Sequence, residues 1–200
     1  MIDRFYPVVP NADWVARLVP AGTRFIQLRI KEQPESELRR QVREAQAVCA
    51  RHGAQLIVND HWRIAIDERC SWVHLGQEDL VDADLKAIRD AGLTLGISTH
   101  DNAELETALR AEPNYLALGP IFPTTLKSMR FAPQGIAKIT EWKKRIGDIP
   151  LVAIGGIKFE QAAEIFAAGA DSIAVVSDVT QHPDPDARVR AWLGQSAKAA

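Results

Sequence analysis

Cysteine is scarce in this chain. Its 200 residues contain two, Cys49 and Cys70, too few for a disulfide framework and not in a C-x-x-C or metal-type spacing. A reducing, cytoplasmic compartment is therefore expected. Long apolar runs are also missing: nothing approaches the roughly 18 to 20 residues of a spanning helix, and the longest uncharged piece, residues 113–126, is broken by Pro and Gly. Met1-Ile2-Asp3-Arg4-Phe5 lacks the apolar segment of a signal peptide, so export is not expected either. Nor is there an excess of charge. Lys plus Arg number 24 against 26 Asp plus Glu, and a net charge near −2 supplies no field for a nucleic-acid backbone or an anionic membrane. Aromatic residues make up 6%, and Trp14, Trp62, Trp72, Trp142 and Trp192 are too separated for a nucleic-acid stacking platform. They are expected to pack helices against a core. His52, His61, His74, His100 and His182 include no H-x-x-x-H pair, which argues against zinc.

What is present is an ordinary globular balance, 46% hydrophobic and 25% charged, and a length that suits one domain over residues 1–200. Short β-branched or apolar runs alternate with longer stretches of helical spacing, the signal for repeated βα units around a parallel sheet. Strands are expected at about 5–9, 25–30, 54–58, 72–75, 93–97, 114–118, 150–154 and 171–176. Helices are expected at about 12–20, 35–52, 61–69, 81–91, 101–111, 134–146, 158–168 and 184–196. Gly92 and Gly169 follow apolar-periodic segments, where a left-handed C-cap belongs. Eight such units close an α/β barrel, the (β/α)8 or TIM fold, and about 200 residues is near its lower limit. The one long connection, 119–133, has the length and polarity of a lid over a ligand.

In such a barrel the residues after each strand meet at one mouth. Gln27, Arg29 and Lys31 are spaced by two, so a strand would put them on one face. Converging Arg and Lys suit a diphosphate; the alternative is an exposed edge or ion pairing. Asp60 follows Leu56 to Asn59 and Asp79 follows His74 to Glu78, placing two carboxylates at neighbouring strand ends. Mg²⁺ commonly takes one or two protein carboxylates together with water and substrate phosphate oxygens. The alternatives make Asp60 a helix N-cap and Asp79 a loop acid. Gly155-Gly156 on unit seven and Val176-Ser177 on unit eight fit the barrel phosphate site of the last two loops, although a double glycine is also simply a tight turn. His100 is the histidine best placed for proton transfer, with a structural role as its alternative.

Seven motifs in order carry a family resemblance. They are Gln27-Leu28-Arg29-Ile30-Lys31, Val58-Asn59-Asp60, His74-Leu75-Gly76-Gln77-Glu78-Asp79, Gly96-Ile97-Ser98-Thr99-His100, Gly119-Pro120-Ile121-Phe122-Pro123-Thr124, Ala153-Ile154-Gly155-Gly156-Ile157 and Ala174-Val175-Val176-Ser177. Together they resemble thiamine-phosphate synthase over nearly the whole chain. The resemblance implies a TIM barrel that joins hydroxymethylpyrimidine diphosphate to thiazole phosphate, forming thiamine phosphate and releasing pyrophosphate. It implies that Gln27, Arg29, Lys31, Asn59, Ser98 and Lys127 hold the pyrimidine diphosphate, with Leu28 and Ile30 in the same stretch, and that Arg29, Lys31, Lys127 and Ser98 serve the chemistry. Asp60 and Asp79 would ligate one Mg²⁺. Thr124, Thr125, Leu126, Gly156, Val176 and Ser177 would receive the thiazole phosphate. Where the family often has Thr-x-Thr-Lys, this chain has Thr124-Thr125-Leu126-Lys127. The implied reaction is a displacement at the pyrimidine's benzylic-type carbon by the thiazole nitrogen, strongly dissociative, with no Ser or Cys nucleophile. Two other readings stand beside it: a thiazole tautomerase on the same barrel, and a silent binder of thiazole phosphate or thiamine phosphate. The expected partners are phosphorylated small molecules, without nucleic acid or membrane, and a homo-oligomer is left open.

Overall fold

The computed structural model describes residues 2–124 and 131–198, with side chains up to residue 194. Eight parallel strands pair in sequence order and close on themselves: β1 (Phe5–Val9), β2 (Phe25–Leu28), β3 (Gln55–Asn59), β4 (Trp72–Leu75), β5 (Thr94–Thr99), β6 (Tyr115–Leu118), β7 (Leu151–Ile154) and β8 (Ser172–Val175). The chain is a (β/α)8 TIM barrel, as expected. Helices α1 (Ala12–Leu18), α2 (Glu35–His52), α3 (Trp62–Asp67), α4 (Gln77–Val81), α5 (Leu85–Asp90), α6 (Asn102–Arg110), α7 (Ile136–Ile146), α8 (Ala162–Ala167), α9 (Ser177–Thr180) and α10 (Pro185–Lys198) surround it.

Because successive strand residues face opposite ways, each strand feeds two apolar layers. Outward residues such as Ile26, Leu28, Val58, Val73, Ile97, Leu116 and Ile173 pack under the helices. Inward residues, among them Tyr6, Val8, Phe25, Ile57, Tyr115, Val152 and Ala174, fill the lumen as a second cluster. Burial on both faces explains why these strands read as near-continuous apolar runs. Each buried Val, Ile or Leu contributes about 1.5–3 kcal/mol of transfer free energy.

The helix edges differ from expectation in instructive ways. The single helix expected over 81–91 is two: α4 begins at Gln77, immediately after β4, and α5 restarts where the Asp84 side chain accepts from Ala87 N at 2.9 Å. Strand β2 stops at Leu28 rather than residue 30. An additional short helix, α9, sits between β8 and α10. Gly92 and Gly169 do adopt positive φ, 72° and 106°, after α5 and α8. Trp142 and Trp192 are buried between helices and barrel, Trp192 stacked on Phe5 with centroids 4.9 Å apart. Trp72 departs from that expectation. It packs against the lumen cluster, edge-on to Phe25 at 5.0 Å, because its position on β4 is an inward one. Cys49 and Cys70 are free and buried, and burial pushes their thiols up to about 11 and about 12, so both are held as thiols rather than nucleophilic thiolates.

Candidate active site at the barrel mouth

The inward positions change from apolar to polar toward the C-terminal strand ends. In register around the barrel, Gln27 sits beside Ile57, Asn59 beside His74, His74 beside Gly96, and Ser98 beside Ala117. Gln27, Asn59 and His74 are each at most 5% exposed, so their polar groups form the floor of the mouth. Above that floor lies a cavity of about 260 Å³, and on one side it holds Gln27, Arg29, Asn59, His74, Ser98 and His100. On the other side stand Thr124, Gly155, Gly156, Val176 and Ser177. An adjoining groove of about 570 Å³ shares Arg29, Asn59 and Ser98 and adds Lys31, Asp60 and Asp79.

Residues expected from seven separate stretches thus converge on two connected hollows. Three placements differ from the simple picture. Lys31 is exposed on the rim beside Asp60 and Asp79, in the groove that Arg29 also lines, whereas Gln27 is buried in the floor. Leu28 and Ile30 are buried in the layer beneath the helices, so their side chains do not face the mouth. Thr125, Leu126 and Lys127 lie outside the described residues, as does Arg130 of the expected lid.

Asp60 adopts φ +65°, a left-handed conformation that Asp tolerates better than most residues. Its amide donates to the His74 carbonyl at 2.8 Å, while the Trp62 amide donates to the Asp60 carbonyl at 2.9 Å. The N-cap alternative does not describe it: α3 is capped by His61, and no side chain caps that helix. Asp79 lies in the first turn of α4 rather than in a loop, and a Cβ on Gly76 would come within 3.0 Å of its carboxylate oxygen. Glycine there leaves the space the carboxylate occupies. The two carboxyl groups stand together; burial first, and then the charge of Asp79, hold Asp60 above the usual carboxylate range, against the pull of Arg29 and His61. A half-buried acidic pair of this kind suits a divalent cation. Two carboxylates are what Mg²⁺ commonly takes from a protein, with water and phosphate oxygens in its other positions; among the described residues no group of three or more His, Cys, Asp or Glu is gathered for a metal.

On the opposite side, the β6 and β7 loops are laced together. Ile121 N donates to Ile154 O and Phe122 N to Gly155 O, each at 3.0 Å. Gly155 and Gly156 have φ +96° and +69°, and a Cβ on Gly156 would meet the carbonyl oxygens of Pro123 and Phe122 at 2.5 and 2.6 Å. The double glycine is therefore required by loop contact, whatever it binds. Ser177 opens α9 beside it. The next residue, Asp178, is 4% exposed and accepts from Arg188 at 2.8 and 3.0 Å and from Trp192 Nε1 at 2.9 Å. Arg188 also holds Glu160, at 2.9 and 3.1 Å, joining the segment after β7 to the segment after β8. Asp178→Ala removes the carboxylate that accepts from Arg188 and Trp192, while Arg188 keeps Glu160; the expected loss is about 2 kcal/mol, read from the urea midpoint at constant m-value.

Two clusters go beyond the sequence reading, which named His74 in a motif and His100 as a candidate for proton transfer but neither one's partners. The first is built on His74, whose Nδ1 lies 2.9 Å from Tyr115 Oη and whose Nε2 lies 2.8 Å from Ser98 Oγ. Period-two alternation with Val73 and Leu75 marks His74 as inward, a signal that a search for metal spacing passes over. Complete burial, with a smaller effect of Arg29, lowers its pKa to about 4. The unfolded chain binds a proton near pH 6.5 while the folded one resists until about pH 4, so this histidine's contribution is present above pH 6.5 and lost as pH falls. Between pH 7.5 and 5 the stability gap between wild type and His74→Gln should narrow by roughly 2 kcal/mol. Asp60, raised in the fold, works in the opposite direction but in both proteins alike. Denaturation at the two pH values checks it.

The second cluster is His100, Glu104 and Phe131. His100 Nδ1 is 2.6 Å from Glu104 Oε2, and its ring stacks on Phe131 with centroids 4.8 Å apart and planes 6° apart. The ring lines the mouth with one nitrogen already engaged.

Fold and mouth together define a class: a TIM barrel with a basic and acidic rim on one side of its C-terminal opening and a glycine- and serine-bearing loop pair on the other. The particular family follows from comparison with known proteins. The profile of the family described as thiamine monophosphate synthase matches residues 5–179, and the chain belongs to that family. A thiamine-phosphate synthase of Rhizobium etli is 58% identical over 196 residues, covering 98% of this chain and 96% of the relative. One of Salmonella typhimurium is 51% identical over 179 residues, covering 90% and 85%. The solved thiamine phosphate pyrophosphorylase of Pyrococcus furiosus superposes with a TM-score of 0.83 at 28% identity, over 98% of this chain and 96% of that one. Among the described residues no helix is long and apolar enough to cross a membrane.

Proposed function

We propose that this mouth makes thiamine phosphate from the pyrimidine diphosphate and the thiazole phosphate, with release of pyrophosphate. The protein is a transferase of thiamine biosynthesis. The observation that carries the residue assignment is the division of one opening into two chemically different sides. Arg29 and Lys31 stand with Asp60 and Asp79 on one; Thr124, Gly156, Val176 and Ser177 stand on the other.

In this reading Gln27, Asn59 and Ser98 seat the pyrimidine from below, and Arg29 and Lys31 bind and neutralise the diphosphate as it becomes the leaving group. Asp60 and Asp79 would hold one Mg²⁺. When bound, the cation supplies charge neutralisation at the departing oxygens. The loops after β7 and β8 hold the thiazole phosphate so that its ring nitrogen faces the pyrimidine carbon, and the chain contributes alignment and electrostatic stabilisation without a covalent intermediate. Lys127 is assigned to the diphosphate with Arg29 and Lys31. We place the enzyme in the cytoplasm, in keeping with its two free thiols.

The test is to incubate the purified protein with both substrates and follow pyrophosphate and thiamine phosphate, with Mg²⁺ and after chelation. Equal amounts of the two products, formed only with the metal, are expected. Binding of thiazole phosphate with no product would remove the reading. The tautomerase alternative needs no metal, and the Asp60–Asp79 pair gives it no support.

A further inference from the structure

The hydrogen bonds around His74 continue downward. Tyr115 Oη, which meets His74 Nδ1 at 2.9 Å, also lies within reach of the hydroxyl of Tyr6, which is not among the buried polar atoms left without a partner. Four side chains from four strands, Tyr6 on β1, Tyr115 on β6, His74 on β4 and Ser98 on β5, therefore form one chain from the middle of the lumen to the mouth. Tyr6 is its closed end. It is 1% exposed and packed in the apolar cluster with Val8, Phe25 and Ile57, and among the described residues its hydroxyl has no hydrogen-bond partner besides Tyr115. The hydroxyl of Ser172, buried on β8, is itself without a partner and so takes nothing from Tyr6.

A chain of this kind can run in two directions. A neutral imidazole has one N–H and one bare nitrogen, and this ring is 5% exposed and set between two hydroxyls, with no carboxylate hydrogen-bonded to it. Running down, Ser98 donates to Nε2, Nδ1–H to Tyr115, and Tyr115 to Tyr6, leaving the Tyr6 O–H without an acceptor in an apolar lumen. Running up, Tyr6 donates to Tyr115, Tyr115 to Nδ1, and Nε2–H to Ser98, leaving the Ser98 O–H to point at whatever occupies the mouth. An unmet buried hydroxyl proton is costly, whereas the upward direction leaves every donor in the lumen satisfied.

We propose that Tyr6, Tyr115 and His74 form a one-way hydrogen-bond relay that makes Ser98 a donor, and that Ser98 therefore reads a hydrogen-bond acceptor atom on the ligand. His74 and Tyr115 are positioning residues, acting through the serine hydroxyl. The Proposed function enters only in naming that ligand as the pyrimidine diphosphate; the direction of the relay is independent of it. Cooperative polarisation along the chain strengthens the last donor. An acceptor-free analogue is rejected because it would leave that donor unpaired.

The first test uses the ligand-free protein. Nitrogen NMR distinguishes a protonated from a bare ring nitrogen, and His74→Gln identifies the signal. The upward relay requires His74 to carry its proton on Nε2 with Nδ1 bare; a proton on Nδ1 overturns the proposal, whatever the protein catalyses. The second test is a double-mutant cycle on affinity for the pyrimidine diphosphate. Tyr115→Phe keeps the ring and removes the hydroxyl, and should weaken binding about tenfold, with the affinity for thiazole phosphate unchanged. Ser98→Ala should weaken it by at least as much. Adding Tyr115→Phe to Ser98→Ala should change nothing more, because the relay then has no outlet. Full additivity of the two losses, or equal loss for both substrates, would show that Tyr115 acts through general packing and would overturn the relay.

Discussion

Asp60→Asn should lower kcat at least about 100-fold at moderate Mg²⁺ and raise the Mg²⁺ concentration needed for half-maximal rate, while leaving the metal-free fold no less stable than wild type. Partners one shell outside a metal ligand are worth about 10- to 100-fold in affinity or activity, so loss of one of the two carboxylates proposed to hold the cation belongs at or beyond the top of that range. The stability half of the prediction runs in the other direction for a reason on the same residue. Asp60 is a half-buried acid facing a second acid, and desolvation and Asp79 both resist its ionisation. The amide is isosteric, neutral and able to hydrogen-bond Asp79. Asn also accepts the left-handed φ of +65°, so the backbone has no cause to move. The experiment pairs a Mg²⁺ titration of turnover with thermal melting in chelator. Opposite movement of activity and stability is the signature of a site held under electrostatic tension for a function; a D60N enzyme at full rate would remove the cation from Asp60.

The barrel was legible because its signal is repeated. Alternation of short apolar runs with helical spacing needs no long-range contact to be seen, and the acids Asp60 and Asp79 announced themselves by standing just after such runs. What sequence could not supply was where a strand stops. Lys31 reads as a partner of Gln27 and Arg29 on one face only while the extended pairing continues; β2 ends at Leu28, the Arg29 amide still donates to Val9 O at 2.9 Å, and Lys31 stands exposed beyond it. The α4–α5 break was hidden similarly, since Asp84 is a good N-cap inside a stretch whose apolar spacing runs on. The purpose of Gly155-Gly156 was read from the anion side, whereas the structure shows the β6 loop occupying the space a side chain would need. The partners of His74 were invisible for a third reason. They are 24 and 41 residues away, and only closure of the barrel brings them together.

Gly96→Ala should prevent folding or destabilise the protein by about 3 kcal/mol or more, the upper end of what overpacking costs a core. Gly96 on β5 is paired in register with Tyr115 on β6, both facing inward, and a methyl placed on Gly96 would fall inside the phenol ring. An overlap of that kind is cheap when the obstructing atom ends a flexible side chain. Here it is a rigid ring, 1% exposed, bounded by Trp72 at 5.9 Å and His74 at 5.5 Å between centroids and tethered through its hydroxyl to His74. Neither can the backbone yield, because both strands are paired on both sides in a closed barrel. The control is Tyr115→Leu. Alone it costs a buried aromatic side chain and the hydroxyl that His74 uses; combined with Gly96→Ala it frees the space the methyl needs, so the double variant should be more stable than Gly96→Ala alone. Chemical denaturation of the four proteins gives the interaction term directly. A Gly96→Ala protein as stable as wild type would mean that the Tyr115 ring does not lie over Gly96, and with it the hydroxyl that reaches His74 would lose its place.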